Sequence, residues 1–125
     1  MLIITDGSGE TAKIAAEIVT VLEGNNVAVK TASKFKGNDI LPAQAFFLGC
    51  EKPEPDSFAY LTDLLKHINL AGRTCGVFSP GSEETTKYLA ALVCDSEAAL
   101  NPKQLFAASG VAVKDWAQTV VSGSF

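Results

Sequence analysis

The sequence predicts an α/β domain in which helices cover both faces of a parallel sheet. Short apolar runs alternate with longer segments in which apolar residues recur every three or four positions. The runs are almost continuously apolar, which is typical of strands buried on both faces of a parallel sheet rather than of an antiparallel sandwich. Right-handed crossovers between such strands give three layers. We therefore expect a three-layer fold.

Composition and charge narrow the class of protein. The chain has 125 residues, of which 47% are hydrophobic and 19% charged, so it can bury a core and is not disordered. No repeat or linker divides it, and we expect one domain over residues 1–125. The net charge of -4 argues against a nucleic-acid partner. No apolar run approaches the roughly 20 residues that span a bilayer, so we also expect no membrane partner.

Cysteine usage and the first residues suggest a compartment. Three widely spaced cysteines, Cys50, Cys75 and Cys94, fit neither a disulfide framework nor a zinc site. The sequence opens without the basic region and long apolar run of a signal peptide. We expect a cytoplasmic protein without a metal site. Cys50 is interpreted as an inert buried thiol or a redox thiol, and Cys75 and Cys94 as core residues.

The first half of the chain contains three predicted strands. Residues 2–5 are apolar and β-branched and stop at a glycine-rich turn. A helix begins at Glu10, where the apolar spacing becomes three or four, and ends at Gly24. Residues 27–31 form the second strand and residues 45–49 the third. Between them a polar segment holds at most one helical turn, which predicts a shortened crossover.

The second half contains two further strands and three helices. Asp56 is predicted to cap a helix whose apolar face includes Phe58. Residues 74–79 form the fourth strand, and Ser82 is predicted to cap the helix that follows. A weaker fifth strand is predicted over 105–109. A closing helix follows it, and we expect its Trp116 to clamp that helix to the core.

The loop after the first strand carries the strongest local signal. Ligands of parallel α/β sheets bind at the carboxyl ends of the strands. There, residues 6–11 read Asp-Gly-Ser-Gly-Glu-Thr and lead into a helix. Backbone N–H groups at a helix start, with the Ser8 and Thr11 hydroxyls, form a phosphate cradle, and glycine permits close approach. A tight turn capped by Ser8 explains the same residues equally well.

Three known kinds of phosphate-binding loop begin after a strand and lead into a helix, as these residues do. The Walker A pattern is absent. Gly7, Gly9 and Ala12 match the dinucleotide fingerprint, but the second strand ends in Lys30-Thr31-Ala32, without the acid that holds a ribose. The loop resembles the Ser/Thr-x-Thr-Gly-x-Thr loop of flavodoxins. Residues 47–49, Phe-Leu-Gly, resemble the end of that family's third strand, and residues 70–78 the entry to its fourth.

The chain thus resembles the flavodoxin-like family, its short-chain members included, over nearly its whole length in element order. The resemblance implies five strands in the order 2-1-3-4-5, FMN as cofactor, and a low-potential electron carrier rather than a turnover enzyme, with no catalytic residue. It implies that three loops bind the flavin through Asp6, Gly7, Ser8, Gly9, Glu10, Thr11, Gly49, Cys50, Glu51, Lys52, Ser79, Pro80, Gly81 and Ser82.

Two departures from the family pattern support an alternative. Asp6 stands where the family has a hydroxyl, and Glu10 where it has a neutral residue. The segments 50–57 and 79–87 contain no aromatic residue to stack on the flavin. The alternative is a flavodoxin-fold protein that has lost FMN and serves as an interaction module. A reductase is disfavoured because the loops are too short to hold a nicotinamide dinucleotide.

Acidic residues collect at the same edge of the predicted sheet. They are Asp6, Glu10, Glu51, Glu54, Asp56, Glu83 and Glu84. Helix N-termini favour acids, which explains the last three without any function. The functional interpretation is an acidic rim that lowers the flavin potential and attracts a redox partner with a basic face. We expect a monomer or a weak dimer.

Overall fold

The computed structural model describes all residues, Met1–Phe125, as strands that alternate with helices. The elements are β1 (Leu2–Thr5), α1 (Gly9–Val21), β2 (Ala28–Thr31), α2 (Gly37–Ile40), β3 (Ala45–Gly49), a 3-10 turn (Asp56–Phe58), α3 (Ala59–His67), β4 (Thr74–Phe78), α4 (Glu83–Cys94), β5 (Ala99–Leu100) and α5 (Val113–Ser122). No helix combines the length and the apolar character that crossing a bilayer requires.

The five strands form one sheet in the order β2-β1-β3-β4-β5, with every pair parallel. The predicted strand order is therefore confirmed. Thr5, the last residue of β1, lies level with Thr31 of β2 and with Gly49 of β3. The chain crosses from β1 to β2 in one direction along the sheet and from β3 to β4 in the opposite direction. Because these two connections diverge, a crevice opens between the carboxyl ends of β1 and β3.

The sheet carries a separate apolar core on each face, which confirms the three layers. Ile4 and Leu48 belong to a cluster of 19 buried residues shared with α3 and α4. Their neighbours Ile3 and Phe47 point the opposite way, into a cluster of 11 buried residues that includes Trp116 of α5. This alternation follows from the two-residue period of a strand. Trp116 is buried as expected.

The prediction of the fifth strand over 105–109 is wrong. β5 pairs at Ala99 and Leu100 with the start of β4, and Leu105 forms only an isolated bridge with Phe78. The ladder breaks at Asn101 and Pro102, because proline has no N–H to donate and the chain bulges away from the sheet there. The edge strand is thus divided into two short pieces.

Two helix starts differ from the predicted ones. Asp56 opens the 3-10 turn, so α3 begins three residues later and no side chain caps it. Ser82 occupies the N-cap position of α4, as predicted, but its side chain forms no capping hydrogen bond. Instead its carbonyl oxygen accepts from the Thr85 amide at 3.1 Å. The crossover between β2 and β3 is short, as predicted, with the four-residue helix α2.

One of the two cysteines predicted as core residues is not buried. Cys75 is fully buried, whereas Cys94 is exposed at the end of α4 and is not a core residue. It follows Val93, which faces the core, and the next residue of a helix turns by about 100° toward solvent. His67, the last residue of α3, is exposed.

Candidate functional site

The Asp6 carboxylate joins the loops that follow β1 and β3. Its Oδ1 accepts a hydrogen bond from the Ser8 amide at 3.0 Å, and its Oδ2 accepts one from the Glu51 amide at 2.8 Å. Glu51 lies 45 residues further along the chain, so this contact exists only in the folded state. One side chain therefore holds together the two loops that flank the crevice.

Ser8 caps α1, as the second interpretation of the loop predicted. Its Oγ accepts from the Thr11 amide at 3.3 Å and donates to Thr11 Oγ1 at 2.8 Å. Gly7 has a φ of +83°, a conformation that glycine adopts without strain. The amides of Gly9 and Glu10 donate to no protein acceptor. These two N–H groups remain available at the positive end of α1.

Glu10 does not fill the space above the loop. Its carboxylate lies 3.0 Å from the Lys13 ammonium, one turn further along α1, and both side chains are largely exposed. Above the neighbouring residue the space is open, because a Cβ atom on Gly9 would meet nothing within 4 Å. Of the two acidic departures from the family pattern, only Asp6 uses loop amides.

The loops after β3 and β4 pack directly on each other. The Thr85 hydroxyl of α4 donates to the Glu51 carbonyl at 3.4 Å. A Cβ atom on Gly81 would lie 2.8 Å from that same carbonyl oxygen, so only glycine permits this approach. The Gly81 amide in turn donates to the buried Ser79 hydroxyl at 2.9 Å. The sequence does not identify Thr85, and only the approach of the first turn of α4 to the loop after β3 reveals its contact.

Cys50 is a neutral, buried thiol. It has no exposed surface, and its Sγ donates to the Lys52 carbonyl at 3.3 Å. Burial, and secondly the Asp6 carboxylate, raise its pKa to about 12. A thiolate is the reactive form of cysteine. Of the two interpretations of Cys50, the structure favours the inert one.

The predicted site residues lie in three loops at one edge of the sheet, residues 6–11, 49–52 and 79–82. They do not line the larger cavities. A cleft of about 540 Å³ lies between α3 and α4, with Tyr88 in its wall, and one of about 630 Å³ lies beside α5. The hydrogen bond from the Glu51 amide to Asp6 and the close approach of Gly81 to the Glu51 carbonyl hold the three loops together.

The sheet order and the way the strands connect define a flavodoxin-like α/β fold. No protein-family model and no curated protein matches the sequence significantly. Solved structures do match. Flavodoxin 2 from Bacillus cereus aligns with a TM-score of 0.83 and 20% identity over 98% of this chain and 97% of its own.

Two further flavodoxins give the same result. A short-chain flavodoxin associated with a non-canonical PDU bacterial microcompartment aligns with a TM-score of 0.80 and 14% identity over 99% of this chain and 97% of its own. A Fusobacterium nucleatum flavodoxin bound to flavin mononucleotide aligns at 0.74 and 12% over 99% and 96%. The chain therefore has the flavodoxin fold from end to end, and the resemblance seen in the sequence is confirmed at the level of fold.

Proposed function

We propose that this protein binds FMN between the three loops and acts as a low-potential electron carrier. The observation that carries the proposal is the pair of free amides, on Gly9 and Glu10, at the start of α1. They lie where the strand order reverses, which is where open α/β sheets bind ligands, and helix N-termini attract phosphate. The likeness to flavodoxins, one of them bound to flavin mononucleotide, supports it.

The residues of the first loop fit a phosphate group with one exception. The Gly9 and Glu10 amides would donate to it, and the open space beside Gly9 gives room. The Ser8 hydroxyl would join them only by giving up its hydrogen bond to Thr11 Oγ1. The exception is Asp6, whose carboxylate already uses the Ser8 amide. The phosphate would therefore rest on fewer donors than the loop contains.

The other two loops would hold the flavin ring through backbone groups. The amides of Lys52 and Ser82 donate to no protein acceptor, and both residues are exposed. Of the loop residues predicted to flank the ring, Gly49, Cys50 and Ser79 are buried. The ring would therefore lie against Glu51, Lys52, Pro80, Gly81 and Ser82, which are exposed or half-buried. Bound FMN supplies reversible one- and two-electron transfer. The chain's contribution is to orient the ring and to surround it with acidic side chains.

The acidic side chains suggest the partner and the direction of the potential shift. Carboxylates near the ring disfavour extra negative charge on it, so we expect Asp6 and Glu51 to lower the potential. A partner with a basic face would be attracted to the same edge. A cytoplasmic monomer or weak dimer completes the proposal.

The absorption spectrum of the purified protein tests the proposal. A flavin spectrum, with FMN recovered in an acid extract, would support it. If the protein is colourless, the apoprotein at micromolar concentration is titrated with FMN and the quenching of flavin fluorescence is followed. Saturable quenching would also support it. The absence of both results would contradict it and favour the interaction module without a flavin.

A further inference from the structure

Both oxygens of the Asp6 carboxylate are occupied by amides that belong to the proposed site. The Ser8 amide comes from the loop that would hold the phosphate, and the Glu51 amide from the loop beside the ring. Amides aimed at an anion are the groups that a phosphate requires. In this chain a side chain supplies the anion.

We infer that Asp6 is an internal anion that competes with the phosphate of the flavin and lowers the preference of the site for FMN over riboflavin. This inference rests on the proposed function. A phosphate beside the loop would meet a like charge that is only partly exposed, where repulsion is screened less than in water. Riboflavin has no phosphate and avoids that repulsion. The site would then accept flavins mainly through the ring.

Glu23 provides a matched comparison outside the site. It carries the same charge, but it is exposed just beyond the last turn of α1, at the opposite edge of the sheet, and its side chain touches no loop amide. Removing its charge changes the net charge as much as removing that of Asp6, yet leaves the loop amides as they are. A difference between the two substitutions therefore reports the contact and not the net charge.

The experiment measures the affinities of FMN and riboflavin for the apoprotein, for Asp6→Asn and for Glu23→Gln. Asn has the size of Asp and retains one acceptor, so the loops keep a side-chain link. We expect the ratio of FMN affinity to riboflavin affinity to rise about tenfold in Asp6→Asn, which corresponds to one partly screened charge contact. In Glu23→Gln it should change by less than about twofold, because salt screens an exposed charge at the far edge of the sheet.

Equal ratios in Asp6→Asn and Glu23→Gln would overturn the inference and leave FMN binding intact. If neither flavin binds to any of the proteins, the proposed function fails, and inorganic phosphate then decides the inference alone. Phosphate should shift the ¹⁵N resonances of the Gly9 and Glu10 amides at lower concentration in Asp6→Asn than in the unmodified protein. An equal response would overturn it. Asp6→Ser, which cannot span both loops, serves as a second variant for both measurements.

Discussion

Cys50 shows how one carboxylate affects residues that are distant in sequence. The thiol is buried at the end of β3, and Asp6 from the loop after β1 adds to the rise of its pKa. The sequence places Cys50 at a strand end and is compatible with either a reactive or an inert thiol. The tertiary contact decides for the inert one, because both burial and a neighbouring negative charge oppose thiolate formation.

We predict that iodoacetamide alkylates Cys94 and leaves Cys50 unmodified in the folded protein at pH 8. Cys94 is exposed, whereas Cys50 is buried and has a pKa of about 12. The thiolate fraction of Cys50 is therefore negligible at pH 8. Peptide mass spectrometry locates the label. The variant Cys94→Ser should take up no label until urea unfolds it, and label on Cys50 before unfolding would contradict the prediction.

Gly49 is required by packing rather than by backbone conformation. A Cβ atom there would overlap the Phe78 ring, which is itself fully buried. We predict that Gly49→Ala lowers the free energy of unfolding by about 3 kcal/mol, because the ring has no space to yield. Urea denaturation measures the change.

Gly9→Ala is the matched control for that substitution. Its Cβ atom would meet nothing within 4 Å, and the residue lies in the first turn of α1. The free energy of unfolding should change by less than about 1 kcal/mol. Equal losses in the two variants would show that the contact with Phe78 does not constrain Gly49.

At the level of elements, β5 and α5 depend on each other. The Trp116 Nε1 donates to the Lys103 carbonyl at 2.8 Å, in the bulge between β5 and the isolated bridge at Leu105. Its ring also packs on Phe47 and Phe78, with centroids 5.5 and 6.3 Å away. The helix thereby holds the interrupted edge strand in place. Local periodicity predicts the helix but does not reveal the partner of its indole.

We predict that Trp116→Phe lowers the free energy of unfolding by about 2 kcal/mol, through the lost hydrogen bond and the smaller ring. Tyr60→Phe is the control, since its hydroxyl accepts an exposed hydrogen bond from the Gly37 amide at 3.0 Å. That loss should stay below about 1 kcal/mol. Urea unfolding followed by circular dichroism avoids the loss of the tryptophan signal. Equal losses of stability in Trp116→Phe and Tyr60→Phe would contradict the role of Trp116 in holding α5 against the sheet.

On the scale of the whole molecule, the fold decides at which edge of the sheet each acidic side chain lies. Asp6, Glu51 and Glu83 lie at its carboxyl edge, where the proposed flavin site is. Because α1 runs antiparallel to the strands, Glu23, just beyond its last turn, lies at the opposite edge. The net charge of -4 is the same wherever the acids lie, so only the fold decides which acidic side chains lie beside the proposed flavin site.

We predict that the FMN-loaded, reduced protein transfers electrons to hexaammineruthenium(III) more slowly as salt increases, and to ferricyanide faster. Opposite charges attract at low ionic strength, and salt screens both effects. Stopped-flow absorbance measures the rates. Glu51→Lys should weaken the salt dependence, whereas Glu23→Lys at the far edge should leave it nearly unchanged. Equal effects of the two substitutions would contradict an acidic edge at the site.

The sequence alone determined the alternation of strands and helices, the shortened crossover and the glycine-rich loop, because these depend on neighbouring residues. Only the tertiary structure decided the break in β5, the late start of α3 and the exposure of Cys94. It also decided that Asp6 uses loop amides while Glu10 pairs with Lys13. The physical reason is distance along the chain: the Asp6 contact joins residues 45 positions apart, and no local pattern carries that information.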